Sequence, residues 1–368
     1  MFELDLTAEL DRQFTVCNAC RYCEGFCAVF GAAELRTAFG ERDLAYLSNL
    51  CHDCKMCYDA CMFSPPHEFN VNVPAILAEG RAQTYERYGF PRVFARLFRT
   101  PLTAASVFTL AGIVVTLLAV VASAGVAALW TQQLGSGAFY RVVPYSALVV
   151  PAIALALYGV AILAIGAVDY AADIGPGFAF LSPASVGRAL YDALTLVYLK
   201  GGGSGCYDVH RGSQLRRVFH MLVFWGFLCD FAATTVAAIA QGFFGRLPPY
   251  PLLSVPVILG TIGGIGIVVG AAGLIAIKRA SDPQPASGRM IAMDYAFLAT
   301  LELVALTGLA LLAFRSTNMM GTLLGVHLGA LVGFFVTAPY SKFVHFVYRS
   351  LALVKNAHEQ RDVSHQPP

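Results

Sequence analysis

Six apolar segments, each long enough to cross a bilayer as a helix, constrain this chain more than any other feature of its sequence. A membrane-spanning helix needs about 20 apolar residues, and unpaired backbone groups in lipid exclude open strands. The 368 residues are 57% hydrophobic and only 13% charged, so most of the apolar surface must face lipid. We predict spanning helices at about 103–130, 143–168, 217–241, 254–277, 292–314 and 320–341.

The polar residues divide the chain into three parts. Residues 1–99 form a head polar enough to fold in water, residues 100–355 carry the spans and a long inner loop at 169–216, and residues 356–368 form a tail. The start of the chain lacks the pattern of a cleavable signal peptide. Of the Lys and Arg residues outside the head, twelve lie on the head's side of the spans and three lie on the far side. This distribution predicts a protein of the inner (cytoplasmic) membrane with its head and both termini in the cytoplasm.

A duplicated cysteine motif occupies the head. The spacing C-x2-C-x2-C-x3-C occurs at Cys17, Cys20, Cys23 and Cys27, and again at Cys51, Cys54, Cys57 and Cys61. Proteins with two [4Fe–4S] clusters use this spacing, and the fourth cysteine of each run ligates the other cluster. By that pattern Cys61 joins the first three cysteines, and Cys27 joins the second three. Zinc sites usually use separated cysteine pairs, and disulfides do not suit a reducing cytoplasm, so both are disfavoured.

The cysteine motifs differ from those of compact bacterial ferredoxins. Ala28 and Met62 replace the proline that usually follows the fourth cysteine, and the apolar residues of 33–47 have helical spacing. The head resembles the α-helical ferredoxin domain of succinate dehydrogenase and heterodisulfide reductase iron–sulfur subunits. We therefore predict an all-α chain: a helical ferredoxin domain with two [4Fe–4S] clusters, followed by a six-helix transmembrane bundle of cytochrome b type.

Four histidines lie where haem iron could use them: His220 in the third span, His327 in the sixth, His345 eighteen residues later, and His210. Imidazole is a standard haem ligand, and a histidine in lipid is costly unless it is ligated or paired. The sixth span is expected to continue past Pro339 as an interfacial helix through Lys342 and Arg349. Eighteen residues make five helical turns, so both imidazoles should point the same way. The alternative is a hydrogen bond to a neighbouring helix.

Two pairing schemes follow for these histidines. His220 and His345 could share one haem b, or His220 could pair with His327 and His210 with His345 in two. The spacing resembles that of the γ subunit of respiratory nitrate reductase, a dihaem cytochrome b that oxidises quinol. This resemblance favours two haems, although the residues themselves leave the number open.

Two carboxylates, Asp230 and Glu302, lie within spans. Either could relay protons to a quinone, and hydrogen bonding to a neighbouring helix is the competing interpretation.

The glycine-rich run 201–206 lacks the Gly-Lys-Ser/Thr ending of a phosphate loop, so a docking or haem-edge loop is favoured.

Four blocks of sequence, at 61–74, 201–206, 216–227 and 339–345, resemble the citrate and tricarballylate utilisation protein B family. The resemblance implies a membrane protein with two iron–sulfur clusters and haem b. Such a protein reoxidises the reduced FAD of a partner tricarballylate dehydrogenase and passes the electrons to the quinone pool. It also implies that the eight motif cysteines are cluster ligands and that the histidines of the spans bind haem, whereas His210 lies between the matching blocks.

The sequence thus predicts an electron-transfer subunit without a substrate site of its own. It has no dinucleotide-binding glycine fingerprint and no nucleophile elbow, and its net charge of +2 gives no indication of nucleic acid. The expected partners are an FAD-dependent dehydrogenase on the head, a quinone and membrane lipid. One alternative is the membrane subunit of a heterodisulfide-reductase-like or other quinone-linked complex with another donor. Another is a membrane redox sensor, although the tail after Lys355 is short for an output module.

Overall fold

The computed structural model describes residues 5–175, 178–208 and 212–364. In these ranges the chain is helical apart from loops and one antiparallel pair of two-residue strands, β1 (Cys206–Tyr207) and β2 (Gly212–Ser213). Cys206 lies opposite Ser213 in this pair. The predicted all-α fold is therefore confirmed.

The head contains six helices with well-defined ends. They are α1 (Leu6–Cys20), α2 (Ala28–Ala33), α3 (Glu41–Leu50), α4 (Met56–Asp59), α5 (Val73–Arg87) and α6 (Arg92–Leu97). Asp5 begins α1 by accepting the backbone N–H groups of Thr7 and Ala8 at 3.0 and 3.2 Å. The helix predicted over 33–47 begins only at residue 41, because Gly40 is extended and its N–H binds the Asp43 carboxylate.

The anchor contains the six long apolar helices that the sequence predicts. They are α7 (Pro101–Ala124), α9 (Tyr145–Ile174), α11 (Leu215–Phe244), α12 (Val255–Ala280), α13 (Gly288–Phe314) and α14 (Met320–Thr337). All six are long and apolar enough to cross a membrane, counting the turn that extends α14 to Tyr340. The remaining helices are α8 (Ala138–Val142), α10 (Pro183–Thr195) and α15 (His345–Ser364).

Small residues let the spanning helices approach closely. A Cβ atom on Gly112 of α7 would lie 2.5 Å from the carbonyl oxygen of Gly329 on α14, and one on Gly226 of α11 would lie 2.8 Å from that of Gly263 on α12. Backbone contact of this kind is how helices associate in lipid, where no hydrophobic force drives them together.

The α-helix is interrupted after the last span, where the sequence predicts that it continues. Helix α14 ends at Thr337, and 3₁₀ turns at Ala338–Tyr340 and Lys342–Val344 precede α15. Pro339 lacks the N–H that a continuing α-helix requires, and Ser341 is extended. The prediction that His327 and His345 lie on one face of one helix is therefore wrong.

Helix α15 returns from the anchor to pack against the head. Glu359 accepts hydrogen bonds from Arg36 at 2.7 Å and from the Tyr46 hydroxyl at 3.1 Å. Tyr348 of the same helix lies among aromatic rings of α5 and α9, so one apolar core joins head and anchor. The domain boundaries at residues 99 and 355 stay predictions.

Candidate iron–sulfur and haem sites

Four thiols line a partly open pocket in the head. This outer site consists of Cys17, Cys20, Cys23 and Cys61. Its rim includes Tyr22 and Met62, which are 59% and 64% exposed. Burial and the neighbouring thiols raise the pKa of Cys17 and of Cys23 to about 12, so metal binding must displace the thiol protons.

The other four motif cysteines form the inner site. It consists of Cys27, Cys51, Cys54 and Cys57, which interact electrostatically with one another. Cys57 also interacts with Cys23 of the outer site, so the two sites are neighbours. The backbone N–H of Asp53 donates to the Cys51 sulfur at 3.3 Å. Each site thus takes one cysteine from the other motif, which is the exchange that the ferredoxin pattern predicts.

Tight turns at helix ends bring the cysteines of each motif together. Helix α1 stops because Arg21 adopts the left-handed conformation and donates its N–H to the carbonyl of Cys17 at 2.7 Å. In the second motif, Asp53 and Lys55 both adopt left-handed conformations just before α4. Cysteines three positions apart therefore face a common space.

The donor set fits a multi-iron group. In the described ranges no three His, Cys, Asp or Glu side chains are placed to hold one metal ion. The outer-site thiols instead surround a volume. Four thiolates around a volume are what a [4Fe–4S] cubane requires.

The glycine-rich loop covers the inner site. The N–H of Gly202 donates to the carbonyl of Phe26 at 3.1 Å, and the N–H of Tyr207 donates to that of Cys54 at 2.9 Å. Cys206 is fully buried against Cys54. The thiol of Cys206 donates to the carbonyl of Leu199 at 3.7 Å, and its closeness to Cys54 is the main cause that lowers the pKa of Cys54 to about 7. The glycine-rich run predicts a loop but gives Cys206 no role, although a cysteine directly after glycines is a usable signal.

Two histidine rings meet where the anchor joins the head. The ring centroids of His220 on α11 and His345 on α15 lie 6.3 Å apart with their planes at 83°. Two imidazoles on opposite sides of one iron, each bonded at about 2 Å, have centroids roughly 6 Å apart. The pair would therefore have the separation that the two axial ligands of one haem iron need.

The hydrogen bonding of this pair also suits metal ligation. Nδ1 of His345 donates to the carbonyl of Lys342 at 2.8 Å, which leaves Nε2 as the free lone pair. Nδ1 of His220 is buried and has no hydrogen-bond partner among the described residues. Burial and the Lys342 cation lower the pKa of His345 to about 3, so the ring is neutral, as a metal ligand must be.

The other two candidate histidines are placed differently. His327 lies between α14 and α13, where Nδ1 is 3.1 Å from the Thr307 hydroxyl and a Cβ on Gly308 would lie 3.0 Å from the ring. His210 lies outside the described residues. Within those residues no ring contact joins His220 to His327, whereas His220 does contact His345. The structure therefore brings together the two histidines that would share one haem in the first pairing scheme.

The candidate proton-relay carboxylates lie apart from ion pairs in the described part of the chain. Asp230 of α11 packs against α12, where a Cβ on Gly263 would lie 2.3 Å from its Oδ1. Glu302 is half-buried on α13. Nearer the head, Asp294 forms ion pairs of 2.7 and 2.9 Å with Lys278 and Lys342.

The fold and the duplicated cysteine motif define a multi-pass membrane protein with a helical head of ferredoxin type. Two family profiles match the chain: the Citrate utilization protein B Fer4-like domain over residues 10–87, and Citrate utilization protein B over residues 99–366. Citrate utilization protein B of Escherichia coli is 42% identical over 359 residues, covering 96% of this chain and 93% of that protein. The chain belongs to the citrate utilization protein B family. No solved structure matches it.

Proposed function

We propose that the chain is an electron relay between a reduced flavoprotein, which docks on the head, and a quinone in the membrane. The observation that carries this proposal is the direct link between the inner site and the histidine pair. Arg349, one helical turn after His345, donates hydrogen bonds to the carbonyls of Leu50 and Cys51 at 2.9 and 3.0 Å. The inner-site thiols and the imidazoles are thereby held at a fixed separation.

In this proposal the outer-site and inner-site cysteines each hold one [4Fe–4S] cluster, and His220 and His345 hold haem b. When bound, these groups transfer one electron at a time. FAD and quinone each exchange two electrons in total, and both can do so in single-electron steps. The chain contributes position: it keeps the outer site at the protein surface and the inner site next to the anchor. His327 and His210 are the residues available for a second haem.

The partner would be an FAD-dependent dehydrogenase, with tricarballylate dehydrogenase as the first candidate. The Escherichia coli relative is named for citrate utilization, which fits a donor that oxidises a tricarboxylate. Two single-electron transfers return FADH2 to FAD and release two protons. Two electrons and two protons then convert a quinone to a quinol, and Asp230 and Glu302 are the carboxylates within the spans that could deliver those protons.

We place the protein in the inner (cytoplasmic) membrane with its head and both termini in the cytoplasm. The basic residues support this orientation, because Arg141, Arg246 and Arg315 are the three outside the head that follow the far ends of the spans. The other twelve lie on the head's side, as the positive-inside rule requires.

The proposal is tested by purifying the full chain anaerobically and measuring iron, sulfide and protohaem. We expect about eight cluster irons per chain, b-type absorption bands after dithionite reduction, and reoxidation of those bands by a soluble quinone analogue. His220→Ala should abolish the bands. His67→Ala, which changes a head histidine outside both sites, should leave them intact. Zinc in the head, or a colourless anchor, would overturn the proposal.

A further inference from the structure

Two arginines from distant parts of the chain converge on one carbonyl of the inner site. Arg81 of α5 donates from Nη2 to the oxygen of Cys51 at 2.6 Å and from Nε to that of Ser48 at 2.8 Å. Arg349 of α15 donates to the same Cys51 oxygen from Nη1 at 3.0 Å and to the oxygen of Leu50 from Nη2 at 2.9 Å. Both side chains therefore bind backbone, not carboxylates.

Neither guanidinium has a counter-ion in the described part of the chain. Arg81 is 5% exposed, and no carboxylate lies within ion-pair distance of Arg81 or Arg349. The nearby Asp294 is already ion-paired with two lysines. Lys55, also 5% exposed, likewise donates to a carbonyl, that of Asp282, at 2.9 Å. The opposing charge in the same loop is the buried carboxylate of Asp53, and buried cations therefore outnumber buried carboxylates around the inner site.

Buried cations without a counter-ion are strongly unfavourable. An iron–sulfur group with four thiolates carries net negative charge, so it would supply the counter-charge that these side chains need.

The outer site has the opposite surroundings. Arg21, which lies within its first cysteine motif, is more than half exposed and is already paired with Glu24 and Glu34 at 3.1 and 3.3 Å. Arg21 therefore presents no unpaired positive charge to the outer-site thiols. Adding an electron adds negative charge, which nearby buried cations stabilise in the inner site and paired, solvated charges do not stabilise in the outer site.

We propose that Arg81 and Arg349 are positioning residues that give the inner site a higher reduction potential than the outer site and so direct electrons from the head surface toward the anchor. Each transfer oxidises the outer site by one electron and reduces the inner site by one. This inference rests on the proposed function, because it requires a cluster in each site.

The test is a redox titration of the purified full chain followed by electron paramagnetic resonance. Cys20→Ala removes an outer-site ligand and so identifies the outer-site signal. We expect this signal to have the lower midpoint potential in the unaltered protein. Arg81→Gln and Arg349→Gln keep a hydrogen-bond donor but lose the charge. Each should shift the inner-site redox equilibrium at least tenfold toward the oxidised form, which is about 59 mV for a one-electron couple.

Lysine variants and a distant arginine serve as controls. Arg81→Lys and Arg349→Lys keep the charge and should retain most of the inner-site potential. Arg99→Gln changes an exposed arginine paired with Glu86 and should shift neither signal. If the outer-site midpoint is the higher one, the inference is overturned even when the glutamine variants fail to assemble. Equal shifts in lysine and glutamine variants would also overturn it. A protein without any iron–sulfur signal would instead refute the proposed function.

Discussion

The outer site includes an exposed cysteine, whereas all four cysteines of the inner site are half-buried, although the two cysteine motifs that build the sites have identical spacing. Cys20 is exposed and the outer rim carries exposed Tyr22 and Met62. The inner site is covered by the glycine-rich loop, and it is bonded to α5 and α15. The spacing therefore selects the kind of group that each site can hold, and the surroundings select its solvent access and its electrostatics.

The largest expected difference between the sites is in the iron and haem content that remains after one cysteine ligand is removed. Cys20→Ala should remove about four of eight cluster irons and leave haem b in place, because the outer site is peripheral. Cys54→Ala should also lower the haem content, because the loop around Cys51 holds the helix of His345. Iron and protohaem per purified chain measure both. Equal haem contents in the two variants would show that the inner site does not support the anchor.

The histidine pair gives the second comparison, between the head end of the anchor and its interior. His220→Ala and His345→Ala should each abolish the b-type bands if the two imidazoles share one haem. His327→Ala should leave most of the absorbance, because its ring bonds to Thr307 instead. A dithionite-minus-ferricyanide spectrum of each variant measures the effect. Loss of half the absorbance in His327→Ala would indicate two haems.

Solvent access predicts different rates of damage at the two sites. On exposure to air, we expect the outer-site signal to decay several-fold faster than the inner-site signal, because oxidation follows exposure. Electron paramagnetic resonance at successive times measures both rates. A double substitution of Gly201 and Gly202 by alanine, which strains a loop whose glycines have positive φ, should bring the inner rate closer to the outer one. Identical rates in the unaltered protein would contradict the enclosure of the inner site.

The contact between α15 and the head should contribute moderately to stability. Glu359→Gln weakens the hydrogen bonds from Arg36 and Tyr46 and should lower the free energy of unfolding of the head by about 1–3 kcal/mol. Glu41→Gln is the matched control, because its ion pair with Arg87 is exposed and should be worth under ~1 kcal/mol. Thermal unfolding of the purified chain compares them. Similar effects would mean that α15 does not secure the head.

The smallest effect is expected from Cys206, whose buried thiol packs against Cys54 of the inner site. Cys206→Ala removes a hydrogen-bond donor beside Cys54, worth about 1 kcal/mol, and should lower the inner-site midpoint less than Arg349→Gln does. Cys206→Ser retains a donor and should restore most of the shift. The redox titration that separates the two signals measures all three variants. A shift in the outer-site signal alone would contradict this placement of the loop.

Much of the fold follows from local sequence patterns. The six spans could be predicted because each is a continuous apolar run, and lipid permits few other structures. The break after α14 was missed, because eighteen residues between His327 and His345 match helical periodicity even though Pro339 and the extended Ser341 interrupt the helix. The spacing of two residues shows that they share a face only when one unbroken helix joins them.

The sequence by itself determined the number of spanning helices and the spacing that groups the cysteines, since both depend on residues close together in the chain. Only the tertiary structure decided which site is more exposed, which histidines meet, and which charges surround each site. Arg349 reaches Cys51 across 298 positions, and the ring of His345 lies next to that of His220, which is 125 positions earlier in the chain (345 minus 220). Such contacts depend on how the helices assemble, because side-chain burial and charge pairing are set by neighbours in space.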